Sequence, residues 1–265
     1  MARVNYATLH GQVTGDPRLT INNDGEIKTA MFSMRVMRRP TTVNEYIGAN
    51  IFIDCPVIYT KNTEMALKIQ DLHTGDMVDV TGVITTREVK KSGHCPECSE
   101  KNVVEGNIVF VTPIYICKRE NVSDSEGLEL LKARSEVSNR ISVIGNLCRE
   151  PQYYQDGNGK HYAQYQLAVQ RRYRIREEQD EIKVDYPWVK TFGKQALQDA
   201  QSLRLGSTVY IDGALQTRKI ERTSICAFCG AEYRWEDNAI EIVPYYTGYI
   251  KNCMEPETET EVANE

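Results

Sequence analysis

Asn5, Gly11 and Pro17 recur as Asn139, Gly145 and Pro151, each 134 residues further on. After small deletions the spacing settles at 131 and holds for about sixty residues. Asp54 and Pro56 answer Asp185 and Pro187, Gly75 and Gly82 answer Gly206 and Gly213, and Cys95 and Cys98 answer Cys226 and Cys229. Thr86-Arg87 matches Thr217-Arg218, and Pro113 and Tyr115 match Pro244 and Tyr246. Glycine, proline and cysteine are the residues that backbone geometry and cross-linking pin most tightly, so one register held by all three means a duplicated unit.

Two homologous domains are expected, at residues 1–120 and 138–254, each of ordinary small-domain size. Residues 121–137 read as a linker, polar at first and then briefly helical. Residues 255–265 hold five Glu and no Lys or Arg, and are expected to be a disordered acidic tail. Those five charges account for the whole formal net charge of −5, and the neutral body that remains can still carry a basic groove. No run approaches the roughly 20 apolar residues of a membrane span, and the opening MARVNYATLHGQ lacks a signal-peptide core. A cytoplasmic protein is expected, in which the eight cysteines read as thiols or metal ligands rather than disulfides.

Within each copy the periodicity is mostly two. YATLHGQV and RISVIGNL read as opening strands with a central glycine; INNDGEIK and QDGNGKHY carry hairpin turns; AMFSMRV and AQYQLAV alternate after them. NIFIDCPVIY and DYPWVKTF follow. Met65, Ile69 and Leu72, answered by Ala196, Ala200 and Leu203, then predict one short helix, with Gly75 or Gly206 just past its end. Two alternating segments close each copy. Three strands, a helix and two strands describe a five-stranded Greek-key barrel of the OB type. The expected fold is therefore all-β, two tandem OB-fold barrels.

Four segments of the second copy, GNLCREP (145–151), YQLAVQR (165–171), Trp188 followed by FGK (192–194), and GSTVYIDGALQTRK (206–219), occur in the order and spacing of the bacterial single-stranded DNA-binding proteins. The second copy resembles that family over nearly its whole length. The first copy keeps the frame in HGQVTGDP, FSMRVMRR and GDMVDVTGVITTR, but has Val57 and Lys61 where the second has Trp188 and Phe192. The resemblance implies a domain that binds single strands without sequence preference, stacking bases on Tyr173, Trp188 and Phe192 and tracking phosphates with Lys194, Arg218 and Lys219. Ile220 stands where the family has a fourth aromatic, and the terminal Ala-Asn-Glu is not the apolar tip by which the family's acidic tails dock partners.

The residues argue in the same direction. Strand alternation puts Trp188, Lys190 and Phe192 on one face, and flat side chains there accept any base at roughly 1–3 kcal/mol each. The matching face of the first copy carries Val57, Tyr59 and Lys61. Eleven of the 15 tyrosines and both tryptophans follow residue 137, so the second domain is expected to bind more tightly. A structural role in the core is the alternative for these aromatics. Arg171, Arg172, Arg174 and Arg176, and Arg38 and Arg39 in the first copy, leave a strand for a hairpin loop, where long cations can follow a phosphate backbone or simply face solvent. Arg87 and Arg218, placed alike in both copies, are stronger phosphate candidates.

The cysteine pairs HCPECS and ICAFCG lie at equivalent places after the fourth strand of each copy. Each offers half of a tetrahedral zinc site. Docking about a pseudo-twofold axis would complete one Zn²⁺ site per chain from Cys95, Cys98, Cys226 and Cys229, a zinc-ribbon-like clip between the domains. A redox dithiol in each copy, unpaired thiols and zinc shared between chains are the alternatives. The βαβ context of a thioredoxin-like dithiol is missing.

No catalytic constellation emerges, and a non-enzymatic role is expected. The reading is a protein that coats single-stranded DNA in replication, repair or mobile-element transfer, as a homodimer of four OB domains or as a zinc-joined monomer. An adaptor for replication or conjugation proteins, and an RNA-binding OB protein, are the rival readings.

Overall fold

The computed structural model describes residues 4–39, 52–171 and 184–254. Arg172, Tyr173, Arg174, Arg176 and the acidic tail at 255–265 lie outside the described residues. The first copy runs through β1 (Asn5–Val13), β2 (Arg18–Ile21), β3 (Ile27–Arg38), β4 (Phe52–Asp54), β5 (Val57–Thr60), α1 (Thr63–Gln70), β6 (Asp76–His94) and β7 (Lys101–Asn121). Helices α2 (Asp124–Ala133) and α3 (Ser135–Ser138) lead to the second copy. That copy comprises β8 (Asn139–Leu147), β9 (Gln152–Gln155), β10 (His161–Gln170), β11 (Val184–Asp185), β12 (Trp188–Phe192), α4 (Gly193–Ser202), β13 (Thr208–Ile225) and β14 (Glu232–Lys251).

Each copy closes on itself. β1 pairs with β3, β3 with β5, β5 with β7 in parallel, β7 with β6, and β6 with β1 again. The circuit β8, β10, β12, β14, β13 and back to β8 repeats it in the second copy. These are the two five-stranded barrels expected from the alternating segments. Closing so small a barrel needs sharp coiling, and a β-bulge falls at Asp212/Gly213, matched by one at Thr81/Gly82. A Cβ on Gly213 would sit 2.4 Å from the Val243 carbonyl oxygen, so only glycine lets the strands approach there.

Helix α1 starts where the Asn62 side chain accepts the Met65 N–H at 3.0 Å, and it turns Met65, Ala66 and Ile69 inward. Leu72 is buried from beyond the helix end. In α4 the inward residues are Ala196, Asp199 and Ser202, with Ala200 only half-buried. Asp199 takes the inner place because the Tyr249 hydroxyl (2.6 Å) and the Gln195 amide (2.8 Å) donate to it. No helix among the described residues is long and apolar enough to cross a membrane.

The barrels join edge to edge through β1 and β8. Their antiparallel register runs from Asn5↔Val143 to Leu9↔Asn139 and is centred on Ala7↔Ile141, two residues related by the repeat spacing. The junction is therefore a pseudo-twofold axis. The stretch expected to be a linker is helical and packed. Leu131 of α2 is fully buried with Met37, Met77 and Val122, and the Gln12 amide donates to the carbonyls of Val122 (3.0 Å) and Ser123 (3.2 Å).

Strands β6 and β7 span 19 and 21 residues, and β13 and β14 span 18 and 20, well past the barrels. Their ladders continue to His94↔Lys101 and Ile225↔Glu232, so the connection after each fourth strand is a paired arm with the CxxC at its turn. Twenty paired residues reach about 65 Å. Each arm is tied to the opposite barrel by a mirrored contact. The Thr86 main-chain N–H donates to Asp185 at 2.7 Å, and that of Thr217 donates to Asp54 at 2.7 Å.

Candidate nucleic-acid interface and four-cysteine centre

Along β12 exposure alternates. Val189 and Thr191 face the core, whereas Trp188, Lys190 and Phe192 are half-exposed on the outer face. The register with β10 sets Tyr162 beside Phe192, Gln164 beside Lys190 and Gln166 beside Trp188. Tyr162 and Phe192 meet edge to face, with centroids 5.7 Å apart, and the Lys190 ammonium lies 5.9 and 5.8 Å from the two rings. Arg149 sits 5.1 Å over the Trp188 ring and donates to Gln166 at 3.0 Å. Burial, with the Arg218 charge nearby, holds Lys190 below the usual lysine range against the opposing pull of Glu241. The row is aromatic, cationic and partly wet, which suits base stacking and phosphate contact together. Tyr162 and Arg149 were not singled out from the sequence, although Tyr162 shares the alternation phase of Gln164 and Gln166.

The arginines divide. Arg38 and Arg171, expected to follow phosphates, are buried and bound to Asp54 (3.1 Å) and Asp185 (2.9 Å). Those are the same two carboxylates that hold the opposite arms, so both arginines are corrected to structural roles. Burial drives the Asp54 carboxyl above its ordinary value, against the pull of Arg38 and the Thr217 N–H. Arg39 donates to Glu136 at 2.8 Å and lies over Tyr245, placing it at the junction of α3 with the second barrel. Arg218 grips Glu241 with two 2.8 Å bonds, and Lys219 pairs with Glu236 at the surface, a contact worth about 0–1 kcal/mol that phosphate can displace. Lys194 is exposed on the first turn of α4. In the first copy Tyr59 meets Phe110 edge to face at 5.1 Å, and the Arg87 guanidinium stands 5.3 and 5.7 Å from those rings.

At the arm tips Cys95, Cys98, Cys226 and Cys229 come together, all four Sγ atoms within 4.8 Å of one another. Cys95 and Cys229 are 3.7 Å apart and Cys98 and Cys226 3.6 Å, both across the two copies and both far beyond a disulfide bond. Each tip is shaped alike. Ser99 and Gly230 adopt φ of 60° and 74° and donate to the Cys95 and Cys226 carbonyls at 2.9 and 3.0 Å. Asn102 of the first arm donates to the Cys226 sulfur at 3.3 Å and accepts the Ala227 N–H at 3.0 Å, a further link between the tips. The N–H groups of Cys229 and Phe228, with the Asn102 amide, bring the Cys226 thiol down to about 6.

A sequence model of the single-strand binding protein family matches residues 138–225. The single-stranded DNA-binding protein of Staphylococcus epidermidis is 31% identical over 118 residues, 44% of this chain and 83% of that protein. Two crystal structures of the single-stranded DNA binding protein from Thermus aquaticus share the fold. A deletion mutant matches with a TM-score of 0.61 at 17% identity, over 97% of this chain and all of that one. The wild type matches at 0.58 and 16%, over 98% of both chains. With identity above 30% across most of a curated member, and the paired OB barrels already on view, the chain belongs to the single-strand binding protein family.

Proposed function

We propose that this protein binds and coats single-stranded DNA without sequence preference, in replication, repair or mobile-element transfer, with its second barrel as the main binding unit. The observation that carries the reading is the half-exposed row of Trp188, Lys190, Phe192 and Tyr162 with Arg149 over the indole. Bases lie on the rings, while the cations beside them exchange counterions for phosphates, so affinity falls steeply with salt. The chain is organised as two OB units, at 1–120 and 138–254, followed by the acidic tail. Four such units in a homodimer, or a zinc-joined monomer, form the working species.

The four thiols fit a zinc ion. A tetrahedron with Zn–S bonds of about 2.3 Å has edges of about 3.8 Å, close to the 3.6 and 3.7 Å separations of the two cross-copy pairs. Cys95, Cys98, Cys226 and Cys229 would hold the ion, whose contribution is a structural cross-link. What the chain itself supplies is the pair of turns and the Asn102 bridge that set the tips in place.

Equilibrium titration of an oligo-dT strand tests this. Replacing both Trp188 and Phe192 with alanine removes two stacking surfaces, about 2–6 kcal/mol together, and raises Kd by about 30-fold to 10⁴-fold. Binding by the double variant within threefold of wild type would contradict it and favour an adaptor role. Preferential competition by rU oligomers would reassign the substrate to RNA.

A further inference from the structure

Thr86 and Thr217 hold the same place in the two copies, each where an arm passes the opposite barrel, and each makes the same pair of bonds. The Thr86 N–H donates to Asp185 at 2.7 Å, while its hydroxyl accepts the Tyr186 N–H at 2.9 Å. The Thr217 N–H donates to Asp54 at 2.7 Å, while its hydroxyl accepts the Cys55 N–H at 2.9 Å. A backbone gripped at two successive residues has little freedom left. Both grips fall just ahead of the strand that carries the outer face, β12 in the second barrel and β5 in the first.

Beyond the grip the two copies part. The Tyr186 carbonyl accepts the Gln166 amide at 3.1 Å, the Gln166 side-chain oxygen accepts Arg149 at 3.0 Å, and Arg149 lies 5.1 Å over the Trp188 ring. Thr86, Tyr186, Gln166 and Arg149 all line one polar cleft of about 450 Å³ between the arm and the barrel. In the first barrel Ser33 stands beside Val57 where the second has Gln166 beside Trp188, and Gly15 holds the repeat position of Arg149. Serine is too short to bridge and glycine has no side chain, so no such relay leads from Thr217. We propose that Thr86 is a positioning residue for strand binding: the arm of the first copy, through Tyr186, Gln166 and Arg149, sets the Trp188 ring on the barrel of the second. A guanidinium anchored at one edge keeps its flat face on the indole and holds the ring in one orientation. The stacking ring and the hydroxyl that orients it thus come from different copies, and duplication has kept the grip in both but the relay in one. This inference rests on the single-stranded DNA reading above.

The test uses the full-length protein labelled with 5-fluorotryptophan, in which Trp188 and Trp235 give separate fluorine signals assigned by the loss of one in Trp188→Phe, and titration with a fluorescein-labelled oligo-dT strand. Thr86→Val keeps the main-chain bond to Asp185 and the branched shape but removes the hydroxyl. It should shift the Trp188 signal, leave that of Trp235 in place and raise Kd by about three- to tenfold, the weight of one hydrogen bond. Thr86→Ser restores the hydroxyl and should restore both readings. Thr217→Val removes the matching bond at the first barrel, so its unfolding midpoint should fall as far as that of Thr86→Val, yet the Trp188 signal should stay in place and Kd within about twofold of wild type. An unmoved Trp188 signal or a wild-type Kd in Thr86→Val, or equal weakening of binding by Thr217→Val, would overturn the positioning role and leave the main reading standing. No oligo-dT binding by the wild-type protein would overturn both.

Discussion

Replacing Asp185 by asparagine should destabilise the protein by about 3–5 kcal/mol, although the residue lies on a two-residue strand remote from either chain end. The carboxylate is fully buried and binds two partners: the guanidinium of Arg171, whose side chain is 5% exposed, and the Thr86 N–H of the opposite arm. Asparagine keeps one oxygen to accept the Thr86 N–H but removes the charge opposite Arg171. The buried guanidinium then loses the Asp185 charge that faced it, and that lost pairing, rather than the lost hydrogen bond, dominates the cost. With a urea slope of about 2 kcal/mol/M, the unfolding midpoint falls by about 1.5–2.5 M. Asp54→Asn should behave likewise, because Asp54 joins Arg38 to Thr217 in the same way. A second measurement separates charge from packing: adding Arg171→Met to Asp185→Asn should recover much of the loss, since an apolar side chain in place of a buried ion pair is often neutral. A midpoint shift below about 0.5 M for Asp185→Asn, or no recovery in the double variant, would refute the reasoning.

Purified protein should contain one zinc per chain by elemental analysis; Cys226→Ser or prolonged chelation should remove it and increase protease sensitivity at the arm tips, whereas two ions per chain would exclude the shared site. Asp237 links the arms through Lys91 and Arg222, and although its burial opposes them, these partners hold its carboxyl below the ordinary 3.8. On acidification the unfolded chain takes up that proton first, so the contribution is intact above about pH 4 and is lost as pH falls through the lower folded-state value. Asp237→Asn should flatten that limb of an acid-unfolding curve followed by circular dichroism, and an unchanged limb would count against the contact.

The split between sequence and tertiary structure follows the range of the information. Duplication, alternating strands and turn glycines are local or strictly repeated signals, so the two barrels and the equivalence of the two CxxC tips were readable from residues 11, 82, 95 and 98 and their counterparts. The outward phase of Trp188, Lys190 and Phe192 was readable too, because a strand has only two faces. Alternation names a face and not the group that meets it. Arg38 and Arg171 look like Arg39 until Asp54 and Asp185, 16 and 14 residues further along the chain, come beside them, and Tyr162 and Arg149 join the aromatic row only through pairing of β10 with β12 and packing on Trp188. The pseudo-twofold junction through Ala7 and Ile141 then lays each arm against the other barrel. Spacing along a chain carries no record of such contacts, since burial and charge pairing depend on which distant surfaces the folded backbone brings within a few ångströms.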